Sequence, residues 1–339
     1  MYPNRIERLV LDGVVDAEDY TANLWYDNLA DTEKDVNAFY HHCARVGPSG
    51  CPLAHEGSTA EGVSERVFDI ITNLYHNPLP VLGPNPEVIT YSQVRLVFAV
   101  SLYNPNMMFP ILAEMLAEIG KGQKVGHLSH EVHMRLLQST ATKSAFLAPK
   151  ENTINDRSAQ IAILCSDGDV TTNMTKAAFR QYLDSLERLS PTIGAIWSQV
   201  KLQCIGWPLR AAHRFVGPWG GKTSHPILWI GNTADPVTPV ESAHKMARGY
   251  EDSVVLTVDG PGHCSVAAFS MCTVEHLRNY LHRGILPPVG TVCTPDVVPF
   301  GPGKDEVQVN GEVRMLTGAQ EQVAKGLKAV GGGFGPGFF

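Results

Sequence analysis

The chain has 339 residues, 44% hydrophobic and 18% charged, with a formal net charge of −7. It is long enough for one elaborated domain or two. With no run of Lys or Arg, it excludes nucleic acid and anionic membrane surfaces as expected partners. No apolar stretch approaches the roughly 18 residues expected of a membrane span, and the early run LVLDGVV is too short for a signal peptide and has an aspartate inside it.

The first element is Leu9-Val10-Leu11, an apolar run ending in Asp12-Gly13. It predicts a buried parallel strand reaching its carboxyl end. Such a strand needs neighbours and a crossover feeding it, and only Met1 to Arg8 precede it, so an upstream portion is expected to be missing. From Asp19 to about Thr142 the pattern is helical. Thr32-x-x-Asp35 resembles a capping box, with Asp where Glu or Gln is usual, and precedes Val36, Phe39, Tyr40 and Cys43 on one face. Val63, Val67, Ile70, Ile71 and Leu74 form a second amphipathic helix, stopped by HNPLPVLGPNP. Thr90-x-x-Gln93 opens a third with Val94, Val97 and Phe98. Pro110 is expected to start a fourth, with Ile111, Leu112, Met115, Leu116 and Ile119, ended by Gly120-Lys121-Gly122. These stripes read as core-facing surfaces.

After the polar linker KENTINDRSAQ the character changes. IAILCSDGD is a short apolar run into an acidic turn, followed by a helix through Phe179, Tyr182, Leu183 and Leu186. HPILWIGNTADPVTP is a strand, Ile227 to Ile230, ending in a turn. ESAHKMARGY is a crossover helix, and SVVLTVDGPGHCS is a second strand, Val254 to Val258, ending in a Gly-rich loop. Strand, loop, helix and strand in that order predict a right-handed parallel sheet. Beyond about Pro299 the chain reads as a loose, Gly-rich tail.

Seven cysteines punctuate the sequence, and no spacing among them suggests zinc, so no metal or cofactor is expected. Cys43 and Cys51 bracket a Gly/Pro-rich loop, Cys272 and Cys293 flank a helix and a Pro-rich turn, and Cys165 with Cys204 would be the third pair. Three disulfides with Cys264 left over imply an oxidising compartment; seven reduced thiols in a cytosolic protein are the alternative.

In a parallel sheet, functional groups gather at the carboxyl ends of strands. Asp235 follows one predicted strand and His263 the next, one crossover helix apart, so their loops should be neighbours. A carboxylate beside an imidazole is the orienting half of a nucleophilic triad, the acid fixing the tautomer and the histidine removing the nucleophile's proton.

The block ILWIGNTADPVTPVESAHKMARGYEDSVVLTVDGPGHCS strongly resembles the C-terminal part of α/β-hydrolases related to tripeptidyl aminopeptidases and proline iminopeptidases. RLVLDGVVD resembles their sixth strand, and CSDGD, CIGWP and the cysteines through GTVC resemble the secreted members. The resemblance covers roughly residues 1–300. It implies an α/β fold, the C-terminal portion of an α/β-hydrolase with about three parallel strands, crossover helices and a helical cap. Residues 1–19 would be the first remaining strand of the core, 20–155 the cap, 156–298 the core carrying the acid and histidine, and 299–339 a flexible tail. On the family's pattern Asp235 is the triad acid and His263 the base.

The same pattern places a nucleophilic serine upstream, in a G-x-S-x-G elbow. No G-x-S-x-G occurs in this sequence; Gly47-Pro48-Ser49-Gly50 lies in the cap region, and GGGFGPGFF has no strand before it. Cys264 and Ser265 adjoin His263 too closely to serve as its partner. The resemblance therefore implies an extracellular serine exopeptidase acting on a peptide or small acyl substrate through an acyl-enzyme, with its nucleophile and oxyanion loop in a missing N-terminal half. This chain alone is expected to be inactive. Cap carboxylates such as Glu114 and Glu118, or Asp167, are candidates for pairing with a substrate ammonium. An esterase of the same fold and a non-catalytic peptide-binding or partner module are the alternatives.

Overall fold

The computed structural model describes residues 2–134, 156–301, 306–309, 312–315 and 322. Its centre is a parallel sheet of four strands: β1 (Val10–Asp12), β5 (Leu228–Ala234), β6 (Val254–Pro261) and β7 (Val292–Cys293), in the order β1-β5-β6-β7. The fold is thus α/β, a parallel sheet with crossover helices, with one short strand more than the expected three. Leu11 pairs with Trp229, and Trp229 with Val255.

Side chains along β5 alternate between two covered faces, which is why the run from Ile227 to Ile230 is continuously apolar. Leu228 and Ile230 join Leu256, Val258 and Tyr280 on one side, where α10 (Met271–Arg283) packs. Ile227 and Trp229 join Ala243, Met246 and Ala247 of α9 (Val240–Ala247) on the other. Gly231 allows α9 this close: a Cβ there would lie 3.0 Å from the Val240 Cα.

The helical layer comprises α1 (Ala17–Thr21), α2 (Thr32–Gly50), α3 (Ala60–His76), α4 (Tyr91–Ser101) and α5 (Pro105–Val125). Phe39 at its centre meets Phe98 and Phe109 edge-on at 5.6 and 5.1 Å. The capping box at Thr90 and Gln93 forms in full. The one expected at Thr32 does not: Asp31 is the N-cap residue, and the Thr32 hydroxyl donates to the Pro236 carbonyl at 2.7 Å. The fourth helix begins at Pro105 and not at Pro110. Pro110 lies inside it, with no N–H for the Asn106 carbonyl.

Three further differences trace to ambiguous short apolar runs. HNPLPVLGPNP holds β2 (Leu79–Leu82), which joins β3 (Glu87–Ile89) and β4 (Leu128–Ser129) in a small sheet. IAILC and the following Ser166-Asp167 complete α6 (Asp156–Asp167), which therefore also takes in the end of the expected linker. Helices α7 (Lys176–Leu189) and α8 (Gly194–Leu202), grouped above with the sheet, bury Tyr182, Leu186, Trp197 and Val200 in the helical layer.

The tail is not uniformly loose. Phe300 packs on Phe39 and Phe109, and β8 (Glu306–Val309) pairs antiparallel with β9 (Glu312–Met315). GGGFGPGFF lies outside the described residues. All three expected disulfides are formed, Cys43–Cys51, Cys165–Cys204 and Cys272–Cys293, closing sequence separations of 8, 39 and 21. Cross-links of this kind typically contribute about 2–4 kcal/mol each.

Candidate active site

Asp235 stands immediately beyond β5 and is fully buried. Its Oδ1 accepts hydrogen bonds from the Val237 and Thr238 N–H groups at 3.0 and 2.8 Å, the local pattern by which an aspartate builds its own turn. Its Oδ2 accepts from the Cys264 N–H at 2.9 Å. The carboxylate is therefore fixed by backbone donors from two loops before any side chain reaches it.

His263 lies in the loop after β6, and each of its backbone neighbours is held. The Gly262 N–H donates to the Ala234 carbonyl and the His263 N–H to the Tyr103 carbonyl, both at 3.1 Å. The buried Asn232 amide donates to the carbonyls of Gly262 and Cys264 at 2.8 and 2.7 Å. At Gly262, with φ +108°, a Cβ would lie 2.7 Å from both Pro105 Cδ and Ala267 Cβ, so the close approach requires glycine. Cys264 adopts φ 63° and ψ 167°, a conformation costing on the order of 1–3 kcal/mol for a residue with a side chain. The bonds just described over-determine that turn.

These loops bring His263 Nδ1 to 3.2 Å from each Asp235 oxygen. The Thr238 hydroxyl stands 3.0 Å from the same nitrogen, and the Tyr103 ring meets the imidazole edge-on at 5.2 Å. Among the described residues Nε2 has no hydrogen-bond partner, although the side chain is only 18% exposed. Burial alone would depress the imidazole's pKa. The charge of Asp235, its hydrogen bond and the charge of Asp12 outweigh it and hold His263 above its ordinary value.

Two further carboxyl groups adjoin the pair. Asp12, the last residue of β1, accepts from the Ser265 N–H at 2.9 Å and from the Ser265 hydroxyl at 2.6 Å, while the Cys264 thiol donates to its carbonyl at 3.5 Å. Burial raises Asp12 above the usual carboxylate range, and the bonds from Ser265 only partly offset that. Asp35, on α2, is wholly buried, and neither of its oxygens has a hydrogen-bond partner. Burial and the like charge of Asp235 push it well up, opposed by the Gly262 N–H, whose own bond goes to Ala234. A buried carboxyl in that position is held as the neutral acid.

The sequence-predicted pair is therefore brought together, while the other candidates lie elsewhere. Glu118 pairs with Lys121 at 2.7 Å, Asp167 accepts from the Tyr20 hydroxyl at 3.0 Å, and Glu114 is half-buried on α5. Ser265 and Cys264 both turn toward β1. The residues that sequence reasoning missed are Asp12, Asp35, Asn232, Thr238 and Tyr103. Only Asp12 carried a signal, since it ends a strand just as Asp235 does.

Residues 190–293 match the model of the family described as TAP-like protein. The chain is also 24% identical over 291 residues to the "Putative hydrolase YuaR" of Escherichia coli (strain K12), a match covering 83% of this chain and 52% of that protein. It thus spans about half the length of the curated relative. No helix among the described residues is long and apolar enough to cross a membrane. A parallel sheet that sets an acid and a histidine on neighbouring strand ends, together with these matches, makes the chain similar to α/β-hydrolases of the TAP-like type over residues 190–293.

Proposed function

We propose that this chain supplies the acid and the base of a serine-type exopeptidase, with Asp235 orienting His263 and His263 Nε2 taking the nucleophile's proton. The contact of Nδ1 with both Asp235 oxygens at 3.2 Å, which leaves Nε2 unpartnered, carries this reading. The carboxylate selects the Nδ1–H tautomer and offsets the charge of the imidazolium that forms when the nucleophile attacks. The substrate is a short peptide or small acyl compound cleaved near its free amino end through an acyl-enzyme, and the helical layer of α2–α5 with α7 and α8 is the cap that limits entry to such substrates.

The serine and the oxyanion donors belong to a portion outside these 339 residues, because no G-x-S-x-G occurs among them. Triad members act as a unit, so the chain alone is inactive. Among the described residues β1 pairs with β5 along one edge only, and its other edge is where a strand of that nucleophile-bearing portion would lie, in one longer chain or as a separate half. The three disulfides support an extracellular location for the complete form.

A fluorophosphonate probe tests both parts of the proposal. It is expected to leave this chain unlabelled and to label, at serine, a form extended by a G-x-S-x-G-bearing portion. That form should cleave aminoacyl or tripeptidyl anilides with free amino ends and spare their N-acetylated counterparts. Stoichiometric labelling of the present chain would sink the account, and a preference for p-nitrophenyl esters over anilides would make the enzyme an esterase.

A further inference from the structure

The loop that carries His263 also carries the one cysteine outside the disulfides, Cys264, which is buried. One ligand atom each from Asp235, His263 and Cys264 lie within 4.8 Å of one another. A thiolate, an imidazole and a carboxylate form the mixed sulfur, nitrogen and oxygen set that d10 dications accept, with bonds of about 2.0–2.3 Å. Tetrahedral ligands at those lengths stand roughly 3.3–3.8 Å apart, so only a small convergence of the three groups is needed.

The surroundings favour a cation. Asp12 and Asp35 bring two further carboxyl groups to the same loop, and Asp35 is buried with neither oxygen hydrogen-bonded.

We propose that Asp235, His263 and Cys264 form a binding site for a thiophilic d10 dication of the Zn2+ or Cd2+ class, which locks the acid–histidine pair. On binding, metal–sulfur, metal–nitrogen and metal–oxygen bonds form. The thiol loses its proton to solvent, and the proton on Nδ1 of a neutral imidazole is exchanged for one on Nε2. No electron changes hands. Nε2 then carries a proton and cannot accept another, so the metal state is catalytically silent. That consequence rests on the proposed role of His263; the binding itself rests only on the geometry.

The test uses the chain with its disulfides intact and no reductant, since Cys272, His276 and Cys293 could form a rival cluster only if their disulfide opened. Cd2+ is titrated and the thiolate-to-cadmium ultraviolet absorption recorded. One Cd2+ per chain is expected, with net release of one proton near neutral pH when the imidazole starts neutral. Cys264→Ser should abolish the band. His263→Gln, which keeps the thiol, should weaken binding by more than about tenfold, the scale of losses at outer-sphere partners. Absence of a band in the native chain, an undiminished band in the Cys264→Ser chain, or native affinity in the His263→Gln chain would each overturn the proposal. None of these outcomes bears on the serine-hydrolase reading, and fluorophosphonate labelling does not bear on the metal site.

Discussion

Asp12 and Asp16 are four residues apart in the same opening segment, yet they sit in opposite electrostatic worlds. Burial would raise Asp16, but Lys245 donates to its carboxylate and the Glu18 N–H adds a bond at 2.9 Å, so it is held below the usual range. The surrounding cluster is supplied with cations. Lys245 also reaches Glu18 at 2.9 Å, and the Lys201 ammonium donates to the Asn23 carbonyl at 2.7 Å and lies over the Tyr182 ring. Around Asp12, Asp35 and Asp235, the titratable group available to carry positive charge is His263. In the first cluster Lys245 compensates Asp16 itself, although burial still raises the neighbouring Asp19 and Asp27. The second leaves carboxyl groups short of charge partners, and the imidazole among them responds with a raised pKa, as chemistry requires of an acid–base group.

Removing the compensation is the most severe way to break this contrast. Lys245→Ala leaves Asp16, 1% exposed, without its cation, and should cost about 1–2 kcal/mol at neutral pH, less than a fully buried pair because Lys245 is more than a third exposed and screened. Asp16 is depressed in the folded state, so its contribution is present above its unfolded pKa and disappears as pH falls through the folded one. Denaturant melts of the two proteins should therefore converge in acid. A difference that persists there would mean that Lys245 acts through packing.

Asp35→Asn should have a smaller effect, with a pH signature of opposite sign. The folded-state pKa of Asp35 is raised, so the native protein binds more protons than the unfolded chain and loses stability as pH climbs from the unfolded pKa through the folded one. The asparagine chain is nearly isosteric with the neutral acid and should escape that loss. Its melting temperature relative to the native chain should rise with pH, and a flat difference would mean that Asp35 is ionised throughout.

The two clusters also differ in how far they could be read in advance. Asp235 and His263 were legible because each ends an apolar run, and strand ends in a parallel sheet converge. Asp12 satisfies the same rule, but its partner Ser265 lies on a loop that only tertiary folding brings to β1. Asp35 was hidden by local pattern: Thr32-x-x-Asp35 looks like a capping box, which gives the aspartate a surface role, whereas tertiary packing buries it and turns Thr32 toward Pro236. In the fold, the strongly periodic helices around Phe39 and Val67 were plain. The start of α5 was lost because Pro105 and Pro110 both satisfy the rule for a first helical position. The β8–β9 pair was missed although EVQVNGEVRM alternates about an Asn-Gly, a direct hairpin signal overridden by the Gly-rich composition that follows.

The most direct measurement is the protonation of His263 by nitrogen-resolved NMR on the chain as it stands, compared with Asp235→Asn. With Asp235 bound to Nδ1, the native ring should be the Nδ1–H tautomer when neutral and should titrate above the ordinary histidine value of about 6.5. The asparagine variant should lose that tautomer preference and titrate lower. An Nε2–H tautomer in the native chain, or a titration that does not move when Asp235 loses its charge, would contradict the pairing on which the account rests.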